Sequence, residues 1–253
     1  AAATLGLLAW EVVDRLAAQH EEHGLSDLCF GLDPAVRRAR AEKERRFRQL
    51  VAEARRRGGP PDLEAAHRVL YPSISSEDLR RRRERYGAVK WSEEALAAAA
   101  ARSPLVEIGA GRGQWQRALS ERGADVIAFD DMSSPATRAG LVGEVSAGGP
   151  EKAAEHSGRA LLLVYPNPGP MAAACLEAYG GDTLIFVGEG RGGVNGDDRF
   201  FDLLLGGWSL ADVAAVDALP DCHERLYVLK RFGRATGSRD AAGARAAPAE
   251  QKK

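Results

Sequence analysis

The first hundred residues carry apolar positions at roughly helical spacing, separated by short polar breaks. Asp33 followed by Pro34 marks one helix start, because an acidic N-cap and a proline in the first helical position both favour initiation. We therefore expect an α-helical N-terminal extension over residues 1–91, followed by an alanine-rich helix that Ser92 caps. The pattern predicts helices at residues 5–20, 34–57, 63–70, 76–85 and 93–101.

From residue 105 onward, short apolar runs alternate with helical patterns, which is typical of an α/β fold. The run at residues 160–164 has no polar alternation, as expected for a strand buried on both faces of a parallel sheet. The last two runs flank a turn that contains Pro220 and predict an antiparallel pair. Strands are predicted at residues 105–108, 126–129, 141–145, 160–164, 182–187, 213–216 and 225–230.

Three closely spaced glycines organise the segment at residues 105–130. Gly109, Gly111 and Gly113 stand at every second position between a predicted strand and a helical pattern at residues 114–121. Glycine suits such a turn because it adopts positive φ, and because its missing Cβ lets a ligand approach the backbone. The segment predicts a site for a nucleotide-like ligand. The alternative is a tight strand-to-helix connection that binds nothing.

Two cofactor classes use a turn of this kind. The dinucleotide fingerprint is G-x-G-x-x-G, and it brings a pyrophosphate to the helix N-terminus. Here the third glycine comes one residue early, and Glu107 stands where that fingerprint usually has an apolar residue. The pattern E-x-G-x-G-x-G instead resembles motif I of the class I S-adenosylmethionine-dependent methyltransferases, whose cofactor carries a cationic sulfonium and a cationic ammonium. An acid at the strand end suits that cofactor.

Two further acids end the next predicted strand. Asp130 stands seventeen residues after Gly113, and Asp131 follows it. A carboxylate at this position can accept hydrogen bonds from both ribose hydroxyls of a nucleoside. Asp130 is favoured for that role, with Asp131 as the alternative. The resemblance implies that S-adenosylmethionine is bound by Glu107, Gly109, Gly111, Gly113 and Asp130.

The resemblance covers residues 92–232. Within the class, the sequence is similar to a group of uncharacterised methyltransferase-like proteins that share SEEAL, EIGAGxGxW and a closing GDDxFxxLL with RLYV. These motifs stand here at residues 92–96, 107–115, 196–204 and 225–228. The implied α/β fold is a Rossmann-like, doubly wound seven-stranded sheet with a C-terminal antiparallel hairpin, preceded by the helical N-terminal extension. The Gly-, Ala- and Arg-rich residues 233–253 are predicted to form a disordered tail.

The predicted strand at residues 160–164 ends in Tyr165, Pro166 and Asn167, which in the methyltransferase topology border the transfer site. Methyltransferases that act on exocyclic amines typically have Asp/Asn-Pro-Pro-aromatic here, so Tyr-Pro-Asn-Pro argues against a nucleobase amine. No general base stands out, which methyl transfer tolerates because it depends mostly on alignment. The expected function is S-adenosylmethionine-dependent methyl transfer to an unidentified acceptor. The alternative is a catalytically inactive scaffold of the same fold.

The net charge of -1 hides a basic N-terminal region. Residues 37–57 hold ten Lys/Arg against three acids, and residues 80–85 read RRRRER. Such Arg-rich helices could bind nucleic acid or a protein partner, which is how the scaffold alternative would dock. Interleaved acids and the lack of an aromatic stacking platform favour a solvated helix face instead.

Three widely spaced cysteines form no C-x-x-C pair, which argues against a disulfide framework and fits the cytoplasm or another reducing intracellular compartment. His20 and His23 flank two glutamates without a further ligand, so no metal site is predicted. No apolar run approaches the roughly eighteen residues of a membrane span. The glycine-rich residues 188–196 lack the Lys-Ser/Thr of a phosphate-binding loop, which leaves a substrate-side lid or a plain flexible loop.

Overall fold

The computed structural model of the protein describes residues 24–29 and 33–232. In this part of the chain, the helices before the first strand are α1 (Ser26–Cys29), α2 (Pro34–Arg56), α3 (Leu63–Leu70), α4 (Ser76–Tyr86) and α5 (Glu93–Ala100). Asp33, Asp62 and Ser92 cap three of them, because each side chain accepts a hydrogen bond from a backbone N–H in the first turn. The helix predicted at residues 5–20 and the tail predicted at residues 233–253 lie outside the described residues.

The strands form one mixed sheet whose order is β3-β2-β1-β4-β5-β7-β6. Strands β1 to β5 are parallel to one another, and β7 runs antiparallel to both β5 and β6. This confirms the predicted doubly wound, seven-stranded α/β sheet with its antiparallel C-terminal pair. The strands are β1 (Leu105–Ile108), β2 (Val126–Asp130), β3 (Ser146–Ala147), β4 (Ala160–Val164), β5 (Thr183–Gly188), β6 (Trp208–Ala215) and β7 (Arg225–Arg231).

Helices cover both faces of the sheet and bury two apolar cores. Successive side chains of a strand point to opposite faces, and β4 follows this rule. The helices that alternate with the strands are α6 (Gln114–Glu121), α7 (Pro135–Ala139), α8 (Lys152–Glu155), α9 (Met171–Ala178) and α10 (Asp198–Gly207). Leu161 and Leu163 belong to one core with α9 and α10, whereas Leu162 belongs to the other with α5 and α6.

The strand predicted at residues 141–145 is wrong. The backbone N–H groups of Val142 and Gly143 both donate to the carbonyl of Arg112, so this segment packs against the glycine turn instead of pairing with β2. The strand at this edge is the two-residue β3, which pairs with β2 at Phe129 and Asp130. An apolar run looks the same in sequence whether it pairs with a strand or covers a turn.

The strand order reverses at β1: β2 and β3 follow on one side of it, and β4 and β5 on the other. In open α/β sheets, ligands bind in the crevice at the carboxyl ends of the strands beside such a reversal. The segment between α4 and α5 is attached next to this crevice. The indole N–H of Trp115 in α6 donates to the carbonyl of Val89 at 3.0 Å, and the rings of Trp91 and Trp115 meet edge to face.

Candidate functional site

The turn after β1 has a left-handed backbone at all three glycines, with φ of +74° at Gly109, +57° at Gly111 and +82° at Gly113. Residues with a Cβ rarely adopt this conformation. A Cβ on Gly109 would lie 2.9 Å from Cε of Met171, and one on Gly113 would lie 2.6 Å from Cγ2 of Val145. A Cβ on Gly111 would meet nothing within 4 Å. The outer glycines therefore permit close packing, and Gly111 faces open space.

The backbone N–H groups of the turn are largely bonded within the protein. Those of Gly109 and Ala110 both donate to the carbonyl of Phe129, at 2.8 and 3.0 Å. That of Gly111 donates to a carboxylate oxygen of Asp130 at 2.8 Å. A pyrophosphate at a helix N-terminus needs such groups free. These three N–H groups are therefore not free to bind the phosphates of a dinucleotide.

Asp130 ends β2 and is buried, with 8% of its surface exposed. Its Oδ2 atom accepts from Gly111, and its Oδ1 atom accepts from the backbone N–H of Met132 at 3.0 Å. Asp131 is exposed, and a hydrogen bond from the backbone N–H of Ser133 holds the pKa of its carboxyl below the usual value. Both acids line the same cavity, but only Asp130 is fixed against the turn.

Glu107 is buried in β1, with 1% of its surface exposed. Burial raises the pKa of Glu107 to about 8; the backbone of Gln116 opposes this shift and the charge of Asp130 adds to it. Within the described chain, its Oε2 atom has no hydrogen-bond partner. A buried carboxylate oxygen without a partner at the wall of a cavity can bind a cation or a hydrogen-bond donor of a ligand.

β4 is followed by Tyr165, which has a left-handed backbone, φ +49°, although it carries a Cβ. Strained backbone of this kind is found preferentially at functional sites. Its N–H donates to the carbonyl of Val187 at 2.7 Å, and the residue lines the cavity. Burial raises the pKa of Tyr165, and the charge of Glu224 raises it further. The hydroxyl is therefore protonated at neutral pH.

Pro166 and Asn167 lie differently although they are neighbours in sequence. Pro166 is buried, and its carbonyl accepts hydrogen bonds from the side chain of Asn195 at 3.2 Å and from the N–H of Gly196 at 3.1 Å. Asn167 is exposed at the cavity wall. The loop after β4 is therefore held in place by the glycine-rich residues 188–196.

A buried ion pair anchors those glycine-rich residues. Nothing in the sequence indicated this anchor, since the glycine-rich pattern suggested either a substrate-side lid or a plain flexible loop. Glu189 is 1% exposed, and its carboxylate lies 2.6 Å from the guanidinium of Arg40 in α2. The same carboxylate accepts from the backbone N–H groups of Val194 at 3.0 Å and His223 at 3.1 Å. The start of the loop is thereby tied to an N-terminal helix and to the turn before β7.

All the predicted site residues except Gly113 line one cavity of about 830 Å³ at the carboxyl ends of the central strands. This volume is within the roughly 300–1,000 Å³ of small-molecule sites. Helix α4 and the segment after it cover the outer side, with Leu79, Arg82 and Val89 in the wall. The hydrogen bond from Trp115 to Val89 keeps this cover against α6.

Two cavity residues were missed by the sequence reasoning. The side chain of Met171 packs against Gly109. In the sequence, Met171 marked only the start of a predicted helix. Glu224 immediately precedes β7, is 8% exposed, and has an Oε2 atom without a partner in the described chain. Acids are common in polar turns, so nothing but its place directly before the apolar run of β7 distinguished it.

The basic runs are partly accounted for by contacts within the chain. On α2, Arg46 and Glu42 form one of several exposed ion pairs between neighbouring helical turns, which contribute little to stability. On α4, Arg82 donates to the backbone carbonyl of Asp217, and Arg83 donates to the hydroxyl of Tyr71. Helix α4 thus uses two arginines to cover the cavity. A nucleic-acid or protein partner for these helices stays a prediction.

No three His, Cys, Asp or Glu side chains are grouped to hold a metal ion in residues 24–29 and 33–232. None of the helices there combines the length and the apolar character that crossing a bilayer requires. Burial raises the pKa of Cys29, Cys175 and Cys222 to about 12, so all three are thiols at neutral pH. His20 and His23 lie outside the described residues.

No family model matches the chain, and no curated protein matches its sequence. Solved structures resemble it in fold. The 1,6-didemethyltoxoflavin-N1-methyltransferase of Burkholderia thailandensis is 18% identical, with a TM-score of 0.39, over 55% of this chain and 77% of that one. The magnesium protoporphyrin IX methyltransferase of Synechocystis PCC 6803 is 13% identical, with a TM-score of 0.39, over 64% and 98%.

The PH0226 protein of Pyrococcus horikoshii OT3 is 14% identical, with a TM-score of 0.39, over 65% of this chain and 98% of that one. Similarity of this degree carries no chemistry from those proteins to this site. The class I methyltransferase-like fold rests on features of the molecule itself. These are the strand order, the antiparallel β7 between β5 and β6, and the glycine turn after β1.

Proposed function

We propose that the protein is an S-adenosylmethionine-dependent methyltransferase whose acceptor enters the same cavity as the cofactor. One observation carries the proposal. The open glycine turn at Gly111 borders one cavity together with two buried carboxylates, Glu107 and Asp130. This combination provides room beside the backbone, the carboxylate of Asp130, and at Glu107 a buried carboxyl group whose ionised form a bound cation would favour.

The acids beside the glycine turn favour S-adenosylmethionine over a dinucleotide. A sulfonium and an ammonium are attracted by the carboxylate of Asp130 and favour the ionised form of Glu107, whereas a pyrophosphate beside Asp130 would be repelled. Three N–H groups of the turn, those of Gly109, Ala110 and Gly111, are also bonded internally and are therefore not free for a pyrophosphate.

The glycine turn, Glu107 and the acids after β2 form the cofactor half of the cavity. Each of these residues has a separate role in this proposal. Asp130 accepts hydrogen bonds from ribose hydroxyls with the lone pairs that its bonds to the turn leave free. Glu107 binds the cationic amino-acid end, directly or through water. Gly111 allows the nucleoside to approach the backbone, and Gly109 lets Met171 pack beneath the turn. Asp131 is the alternative ribose acid.

When bound, S-adenosylmethionine would supply an electrophilic methyl group, with the thioether S-adenosylhomocysteine as its leaving group. The chain's part is to align the acceptor and to exclude water. Tyr165 and Asn167 line the cavity after β4, on the side away from β2. Helix α4, held through Val89 by Trp115, closes the outer wall.

Calorimetric titration of the parent protein with S-adenosylmethionine, S-adenosylhomocysteine and NAD tests the proposal. We expect the first two to bind and NAD to show no heat of binding. Transfer of radiolabelled methyl groups to pools of small molecules, RNA and protein then identifies the acceptor class. If neither sulfur ligand binds, the catalytically inactive scaffold replaces the enzyme.

A further inference from the structure

A third buried carboxylate lies in the cavity, on the side away from Glu107 and Asp130. Glu224 directly precedes β7, is 8% exposed, and has an Oε2 atom without a hydrogen-bond partner among the described residues. The residue lines the cavity that Glu107 and Asp130 also line. A buried polar atom that the protein leaves without a partner is a place where a ligand completes the hydrogen bonding.

The sheet order separates Glu224 from the cofactor half. From β1, which contains Glu107, the sheet continues through β4 and β5 to β7. Three strand spacings of roughly 4.8 Å correspond to about 14 Å across the sheet. Tyr165, which follows β4, lies between the two carboxylates in this order. Glu224 therefore belongs to the part of the cavity that the acceptor would occupy.

The two arginines whose charges lower the pKa of Glu224 are already bonded to other acceptors. Arg40 pairs with Glu189, and Arg82 donates to the backbone carbonyl of Asp217. Burial raises the pKa of Glu224, and the charge of Glu189 adds to this effect, which the two arginines oppose. Glu224 has no cation of its own in the described chain, so it can bind an N–H donor or a cation of a ligand.

Apolar and aromatic side chains form part of the wall of this cavity. Tyr71, Tyr165, Val164 and Leu219 line this cavity together with Glu224. Such walls accommodate the apolar body of a small molecule while a few polar groups fix its orientation. A cationic group is also attracted by the faces of aromatic rings.

We infer that Glu224 binds the methyl acceptor, and that the acceptor is a small amine with an apolar or aromatic body. This inference rests on the proposed function, because it assigns the acceptor half of the same cavity. Glu224 would contact the substrate through a charge-assisted hydrogen bond to an N–H group. The opposing class is an acidic acceptor, which Arg80 and Arg83 at the same cavity would favour.

Three probes with one ring test the inference by saturation-transfer NMR: benzylamine, benzyl alcohol and benzoate. The protein is first saturated with S-adenosylhomocysteine, so that the cofactor half is filled. We expect benzylamine to bind best of the three. Glu224→Gln keeps the shape of the side chain and removes its charge, so it should weaken benzylamine about tenfold to a hundredfold. Binding of S-adenosylhomocysteine and benzyl alcohol should stay within about twofold.

Asp221→Asn is the matched control, because Asp221 lies in the same turn but is exposed and paired with Lys43. It should leave the affinity for benzylamine unchanged. Three results would overturn the inference while the proposed function stands, provided that the parent binds S-adenosylhomocysteine. The parent prefers benzoate to benzylamine, it binds none of the three probes, or its affinity for benzylamine is unchanged in Glu224→Gln. If the parent fails to bind S-adenosylhomocysteine, the proposed function fails and the inference fails with it.

Discussion

The guanidinium of Arg40 lies 2.6 Å from the carboxylate of Glu189 and joins α2 to the loop after β5. The side chain of Glu189 is 1% exposed and that of Arg40 is 19% exposed, so the pair is largely removed from water. The backbone N–H groups of Val194 and His223 complete the bonding of Glu189. One side chain of the N-terminal helices therefore supports the loop that holds Pro166 at the cavity.

Replacement of Arg40 by methionine should destabilise the protein by about 2–4 kcal/mol. The change leaves the buried carboxylate of Glu189 without its cation, which is costly; the partial exposure of Arg40 moderates the loss. Urea unfolding followed by circular dichroism measures the effect. Arg38→Met on the same helix is the control, because Arg38 is exposed and its loss should change stability by less than about 0.5 kcal/mol. Equal unfolding midpoints for the two variants would contradict the prediction.

Asp130 should contribute more to cofactor affinity than Asp131. Its carboxylate is buried and fixed by Gly111, whereas Asp131 is exposed and bonded only to the next turn. Asp130→Asn should weaken S-adenosylhomocysteine about tenfold to a hundredfold, because a charge-assisted hydrogen bond to ribose becomes a neutral one. Calorimetric titration gives the affinities, and Asp131→Asn is the control. A larger loss in Asp131→Asn would move the ribose contact to that residue.

The cofactor half of the cavity follows from local sequence, because its signals lie within a few residues of each other. The predicted helix at residues 114–121 has the observed ends, and Asp130 ends β2 as the apolar run of that strand indicates. A strand, a glycine turn and a helix can be recognised without knowing what packs around them. The fold class follows from the same alternation.

The acceptor half does not follow from local sequence, because it depends on contacts between distant residues. Glu189 and Arg40 are 149 positions apart and leave no periodic pattern. Glu224 is set apart from other acids by burial and by an oxygen without a partner, and neither property can be read from its neighbours. The same limit explains why the strand prediction at residues 141–145 was wrong. This segment is hydrogen-bonded to the glycine turn and does not pair with β2.

Glu107 should make the free energy of unfolding of the ligand-free protein fall as pH rises. Its pKa is about 8 in the folded protein, against an ordinary value of 4.5. Between these values, the folded state keeps a proton that the unfolded chain has released, so stability decreases with increasing pH. The contribution is at most about 1.4 kcal/mol per pH unit. Above the folded pKa, this contribution becomes constant.

Glu107→Gln should remove that dependence, because glutamine is neutral at every pH. The gain in unfolding free energy of the variant over the parent should therefore increase from about pH 5 to about pH 8. Urea unfolding at several pH values in this window measures the difference. Glu121→Gln on the exposed face of α6 is the control and should show a constant difference. A gain in Glu107→Gln that does not change with pH would show that Glu107 is already ionised in the folded protein.

Alanine at Gly111 should separate cofactor binding from stability. Gly111 has φ of +57°, so the substitution costs about 1–2 kcal/mol of backbone strain, and the new Cβ meets no protein atom within 4 Å. Gly113→Ala should cost more, about 2–5 kcal/mol, because its Cβ would also lie 2.6 Å from Val145. Urea unfolding without ligand measures both losses.

Gly123→Ala is the matched control for Gly111→Ala. Gly123 also has a left-handed backbone, φ +82°, and open space at its Cβ, but it follows α6 and does not line the cavity. The two variants should lose similar stability, because both place a Cβ on a left-handed backbone without a further clash. Only Gly111→Ala should weaken S-adenosylhomocysteine, by at least about tenfold, because its methyl group occupies space that the nucleoside needs. Equal affinities in the two variants would show that no ligand lies against the turn at Gly111.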